Sequence, residues 1–297
     1  MKKLLCLLMA LVVVFSFAAC NSGDDSSEES KKVASGAKKG DSEVVSIIPE
    51  EITVKEQVIY DADDVKVTVK GISFDGYFGP ELDVLIENNN EYDITVCTSD
   101  STVNGLVVDC SLYCDVPAGK KANDTILIDS IALESSNIEI IKDVEFILYA
   151  TDSEYERVFE SDYIKVTTTA PEAYVQEIDD SGYVAVDDEN VKVIIKHIEP
   201  EKSIWGTEVL VYLENNTDRN LCIQTVDVSV NGFAIDPYFS TDVPAGKKAF
   251  DTITFSDTDL EDNDIEEITE MELKFEIIDW DDWDYNYESG IVSVVFE

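Results

Sequence analysis

Near the C-terminus ten residues, Asp279-Trp280-Asp281-Asp282-Trp283-Asp284-Tyr285-Asn286-Tyr287-Glu288, interleave aromatic rings with carboxylates. Exposed rings stack on the apolar faces of sugars, and the acids beside them accept hydrogen bonds from the hydroxyls, with a basic peptide as the other ligand such a surface suits. Trp280, Trp283, Tyr285 and Tyr287 are therefore candidate ligand-binding residues, joined by Trp205, the chain's third tryptophan. The preferred plainer reading is a hairpin whose rings pair across two strands.

Other chemistry is thinner. Asp61, Asp63 and Asp64 precede an alternating segment, and such oxygen donors suit Ca²⁺, the only metal the sequence suggests and not the favoured reading. Asp257, Asp259, Glu261 and Asn263 begin like a calcium loop but lack Gly at the sixth position and Glu at the twelfth, so they read as the start of a helix. The single histidine, His197, has no second histidine to share a metal and no duplicated nucleophile, so no catalytic residue is assigned and the chain is not read as an enzyme. Cys97, Cys110, Cys114 and Cys222 read as buried structural thiols.

Phe17-Ala18-Ala19-Cys20 follows a basic start and the apolar run LLCLLMALVVVFSF, and it resembles the lipobox at which bacterial lipoproteins are cleaved and lipidated. By that resemblance residues 1–19 are a signal peptide and Cys20 carries the lipid that anchors the chain outside the cytoplasm. Residues 20–50, rich in Ser, Gly, Asp and Lys, read as a disordered tether.

These residues must be positioned by a duplicated framework. Leu82 to Ile128 and Val209 to Phe255 match without a gap, with Asn104 and Asn231 127 positions apart, as are Lys120 and Lys247. Both copies hold E-N-N, V-N-G and D-V-P-A-G-K-K-A followed by D-T-I. Asn-Gly between alternating apolar residues predicts a two-residue hairpin turn. With Val103 opposite Leu106, Val103, Ser101, Ser99 and Cys97 share a core face with Leu106, Val108, Cys110, Leu112 and Cys114. Cys97 then lies opposite Leu112, diagonal to Cys110 and Cys114 at roughly 7–8 Å, which predicts no disulfide. The second copy's equivalent face holds Val226, Val228, Val230, Phe233, Ile235 and Phe239. Pro237 and the D-V-P-A-G turn predict that the second arm leaves its partner early.

About seven short strands per copy, with a short helical connection at Leu133, Ile138, Ile141 and at Leu260, Ile265, Ile268, predict an all-β chain of two tandem immunoglobulin-like sandwiches. They span 51–168 and 180–297, with 169–179 as the linker. The loops SFDGYFGPE and EPEKSIWGTE are where the copies diverge, and Tyr77, Phe78 and Trp205 in them read as lids on the core. If they form a site instead, Trp205 and the segment from Trp280 to Glu288 meet at one end of the second sandwich.

The apolar strand ending in E-N-N-[NT], the V-N-G hairpin and the V-P-A-G-K turn before D-T-I resemble the telokin-like immunoglobulin domains of surface lipoproteins from Gram-positive, clostridial-type bacteria. The resemblance covers both copies and implies fold and surface location, with no catalytic residue. A formal net charge of −43, from 64 acidic and 21 basic side chains, opposes binding to nucleic acid or anionic lipid. The expected function is a non-catalytic surface module, adhesive or ligand-binding, whose partner is a cell-wall or host glycan or a protein. The alternative is an accessory or solute-binding lipoprotein of a transporter or envelope complex.

Overall fold

A computed structural model describes residues 52–200 and 203–296. The signal peptide, Cys20 and the tether lie outside the described residues. In the first copy, β1 (Gln57–Ala62), β2 (Val65–Ser73), β3 (Glu81–Asn88), β4 (Ile94–Val103), β5 (Leu106–Val107), β6 (Cys110–Ser111), β7 (Tyr113–Val116) and β8 (Lys121–Ile128) lead to a short helix α1 (Ser130–Ser135), followed by β9 (Asp143–Thr151), β10 (Arg157–Glu160) and β11 (Ile164–Thr167). The second copy follows the same plan. It comprises β12 (Tyr183–Asp187), β13 (Val191–Ile198), β14 (Thr207–Asn215), β15 (Leu221–Val230), β16 (Phe233–Ala234), β17 (Ser240–Val243), β18 (Lys248–Phe255), α2 (Asp257–Asp262), β19 (Glu270–Ile278), β20 (Tyr287–Glu288) and β21 (Val292–Val295).

Each copy is a sandwich around its own apolar core, with Val67, Leu82, Ile86, Phe146 and Leu148 in one, and Val193, Val211, Leu213, Phe255 and Phe275 in the other. The first sheet runs β1-β2-β3-β8-β6. The second sheet of copy one, β10-β9-β4-β5 with β11 and β7 beside it, crosses the copy boundary. There β5 pairs in parallel with β18 through Leu106 and Lys248, and β18-β14-β13-β12 extend it to ten strands. A six-stranded sheet, β16-β15-β19-β20 with β17 and β21, closes copy two.

The duplicated motifs are the joints of this frame. Asn88, the first Asn of E-N-N, is buried and its Nδ2 donates to the carbonyls of Tyr92 and Val116, both at 2.9 Å. Asn215 does the same for Arg219 (2.7 Å) and Val243 (2.8 Å). Each amide thus ties the turn after an inner strand to the start of the V-P-A-G turn. Asn104 and Asn231 take positive φ, 54° and 51°, at their hairpin tips. Their side chains accept from the backbone at the head of β9 (Lys142 N, 2.8 Å) and β19 (Glu270 N, 3.0 Å). Gly79 and Gly206 pass so close to the end of the neighbouring strand that a Cβ would stand 2.1 Å from the Ile128 carbonyl oxygen and 2.0 Å from that of Phe255.

Two register expectations need correction. Val103 does face Leu106, but Cys97 lies opposite Tyr113, not Leu112, because β4 bulges between Ser99 and Thr102. Asp100 sits in the bulge at φ 48°, a left-handed conformation that aspartate tolerates. The extra residue exchanges the two faces, so Val96 takes the core side and Cys97 leaves the core cluster, although it stays buried, as the sequence reading of its thiol expected. Cys110 and Cys114 remain in the core, and all four described thiols are free. In copy two the homologous bulge at Asp227, φ 53°, leaves Val226 only partly buried, and Phe233 is exposed at the hairpin tip. The second arm leaves its partner as anticipated, with β6 crossing to pair with β8 through Cys110 and Ile128.

The linker is packed. Lys142 Nζ donates to the carbonyls of Glu172 and Tyr174, and Ile178 packs against the core of copy one. On the outer face of β13 and β14, Ile194, Leu210 and Tyr212 are buried yet belong to neither core. Beside them is Phe250, whose ring centre is 5.2 Å from that of Tyr212 and which also reaches the core of copy one.

Candidate functional site

The aromatic segment leaves β19 at Ile278 and returns as β20, with one 3-10 turn at Trp283–Tyr285. Its conformation is set by Arg219, one of only two arginines in the chain. The Arg219 Nη1 donates to Asp279 Oδ2 at 2.6 Å and to Asp282 Oδ2 at 3.1 Å, and its guanidinium lies 4.6 Å over the Tyr285 ring. This guanidinium holds the Asp279 carboxyl below the ordinary carboxylate range. Asp279 also accepts from Asp281 N (2.9 Å), and Asn286 Oδ1 accepts from Asp279 N (2.8 Å), so the loop is tied across its base.

That bracing sorts the rings. Tyr285 and Tyr287 face the core of copy two with their rings 6.1 Å apart, and the Tyr287 hydroxyl donates to Asp188 at 3.1 Å. Burial raises both phenols above their usual range. They support the loop, although the rings pair within the segment and not across two strands as the plainer reading had it. Trp280 and Trp283 point outward, 54% and 68% exposed, edge to face at 5.6 Å.

Trp280 also overhangs a cleft of about 200 Å³ between the copies, lined by Asp100, Asn220, Asp242, Pro244 and Asp281. Asp100 arrives there through the β4 bulge. Burial pushes its carboxyl above the ordinary range, and repulsion from Asp242 adds to the shift. An indole beside three carboxylates is a surface suited to a cation.

The remaining candidates stand elsewhere. Trp205 precedes β14, whereas the Trp280 loop lies beside the turn that follows β14, because Cys222 at the head of β15 pairs with Ile278. A strand of nine residues separates the two, on the order of 25–30 Å. Trp205 and the Trp280 segment therefore do not form one surface. Nor are Tyr77, Phe78 and Trp205 lids: they are 92%, 66% and 72% exposed, at matching places in the two copies. Asp63 and Asp64 form the tip of the β1–β2 turn with φ 52° and 57°, Asp63 accepts from the Tyr60 hydroxyl, and Asp61 faces Lys66 at 3.7 Å. The three carboxylates are engaged separately, and among the described residues no three potential ligands cluster for a metal. His197, on β13, has Glu199 at 3.5 Å.

Sequence reasoning missed Asp100, Asp242 and Arg219. The matching Asp in both copies of the β4/β15 segment and the rarity of arginine were the available signals.

No family model matches the chain, and no curated protein matches it in sequence. Among solved structures, the YadV chaperone is similar at 10% identity over 78% of this chain and all of that one, with a TM-score of 0.25. The Amycolatopsis orientalis exo-chitosanase CsxA is similar at 13% identity over 75% of this chain and 26% of its own, TM-score 0.24. Red sea bream transglutaminase is similar at 11% identity over 82% of this chain and 31% of its own, TM-score 0.20.

Proposed function

We propose that the chain is a non-catalytic cell-surface module, lipid-anchored at Cys20, that binds a cationic group in the cleft beneath Trp280. The observation that carries this reading is the convergence of Trp280 with Asp100, Asp242 and Asp281 at the junction of the copies. An ammonium held against an indole face gains about 0.5–2 kcal/mol, more as water is excluded, and the carboxylates supply its hydrogen-bond acceptors. The chain's net charge of −43 adds long-range attraction for such a ligand and makes binding weaken as salt rises. Arg219 keeps the loop in place before the ligand arrives, which lowers the ordering cost of binding.

Titration calorimetry with oligolysine and with a glucosamine oligomer, each beside its N-acetylated counterpart, tests the reading. The free amines should bind and the acetylated forms should not. Trp280→Ala and Asp242→Asn should each weaken binding at least tenfold while moving the melting temperature by no more than about 2 °C, because Trp280 is half exposed. Equal binding of acetylated and free forms would sink the cation site. A large loss of stability in Trp280→Ala would mark the ring as structural.

A further inference from the structure

The two sandwiches differ along one seam. In copy one the gap between the sheets beside β11 is closed by the segment before β1. Val54 pairs antiparallel with Thr168, Thr169 N donates to the Thr53 carbonyl at 2.8 Å, Ile52 is buried and Val54 enters the core. Tyr183 pairs with Ile195 as Gln57 pairs with Val69, so the segment equivalent to Ile52-Thr53-Val54 in copy two is Ile178-Asp179-Asp180. That segment is drawn away. Ile178 packs on the core of copy one, Asp179 pairs with Lys196 and Asp180 with Lys192, both at 3.0 Å.

Among the described residues copy two has an open groove of about 620 Å³ between β13 and β21, with Ile198, Leu260, Ile268, Val294 and Phe296 on its walls. Among the described residues β21 pairs with β19 alone. Phe296 N donates to the Thr269 carbonyl just as Thr168 N donates to that of Lys142, which puts Phe296 in the place where Thr168 receives Val54. Such a seam binds an extended strand, with backbone bonds to the free edge and alternate apolar side chains in the gap.

We propose that the occupant is residues 44–48 of a second copy of this chain. The plug of copy one is β-branched, hydroxyl, β-branched: Ile52-Thr53-Val54. Seven residues upstream, in the part of the chain outside the described residues, the same pattern recurs as Val45-Ser46-Ile47. Asp41, Glu43, Glu50 and Glu51 flank it more closely than Lys38 and Lys39, so the match rests on the apolar pattern and the free strand edge and not on charge. A donor from another molecule fits the strand order better than the chain's own segment. From β11 to β13 the ten-stranded sheet runs through β9, β4, β5, β18 and β14, on the order of 30 Å, whereas the six residues from Ile52 back to Ser46 reach about 20 Å fully extended. Donation from one copy into the next is a heterologous contact, which propagates as a chain unless it closes into a ring.

Sedimentation of residues 21–297 tests this at several concentrations. The chain should associate with rising concentration, and a variant carrying Val45→Asp and Ile47→Asp should stay monomeric. Into that variant, a synthetic peptide of residues 42–49 should bind saturably, and the same peptide with Ile47→Asp should bind at least tenfold more weakly. Association that survives the double variant, or equal binding of both peptides, overturns the proposal. A wild-type monomer overturns the second copy as donor, whether or not it binds the peptide.

Discussion

Asn88 and Asn215 show how a polar side chain specifies this fold, since each is buried and each bonds two or more backbone carbonyls from segments that its own strand does not pair with. Replacing either with alanine strands those carbonyls away from water, at about 1–3 kcal/mol for each group left unsatisfied. Asn88→Ala and Asn215→Ala should each lower the urea midpoint markedly, whereas the neighbouring exposed Asn89→Ala should not. Asp100 works in the opposite sense. Its carboxyl is raised by burial and by Asp242, so the fold disfavours its charged form. That penalty is absent below the ordinary aspartate pKa near 4 and grows as pH rises through the higher folded value. Asp100→Asn, which keeps the left-handed φ accessible, should therefore raise the melting temperature slightly at pH 7, the effect being small because Asp100 is exposed, and have no effect near pH 3. The motifs that contain these asparagines were legible in the sequence because turn chemistry is local. Their partners, such as Val116 and Val243, were not, because those contacts form between segments far apart in the chain.

Among elements, strand existence was easier to read than strand face. The alternation of Val65 to Lys70 and the Asn-Gly tips placed β2, β4 and β5 directly, and the apolar spacing at Leu133 and Leu260 marked α1 and α2. The bulges were missed because one residue in a left-handed conformation leaves no mark on hydrophobic periodicity, yet it exchanged the faces of Val96 and Cys97. The same slip hid the cleft, since Asp100 reaches it only through the bulge. The aromatic segment misled in another way. Trp280, Trp283, Tyr285 and Tyr287 look alike in sequence, and only Arg219, brought from the turn before β15, separates the outward pair from the inward pair. Gly79 and Gly206 mark where the β2–β3 and β13–β14 loops cross the ends of β8 and β18. Gly79→Ala and Gly206→Ala should each cost several kcal/mol by denaturant unfolding, because the added carbon would meet backbone oxygen.

The whole molecule departs from two beads on a string. The duplication implied independent sandwiches, but one ten-stranded sheet spans both, Lys247 pairs with Glu145 across the boundary, and Ile194, Leu210 and Tyr212 are buried outside either core. Residues 180–297 alone should therefore melt well below the intact chain and bind an apolar dye. A melting point equal to that of the intact chain would show that the boundary contributes nothing. Long-range burial of this kind is invisible to a repeat alignment, which registers what two segments share and not what they do to each other. One outcome of the locked hairpin tips concerns ageing. Asn-Gly is the pair most prone to succinimide formation, in which the glycine nitrogen attacks the asparagine side-chain carbonyl and releases ammonia. In the folded chain the Asn104 and Asn231 side chains are held away from that attack by their bonds to the heads of β9 and β19. Deamidation at both tips is thereby gated by unfolding, and the accumulated aspartate and isoaspartate become a clock that counts the time each molecule has spent open.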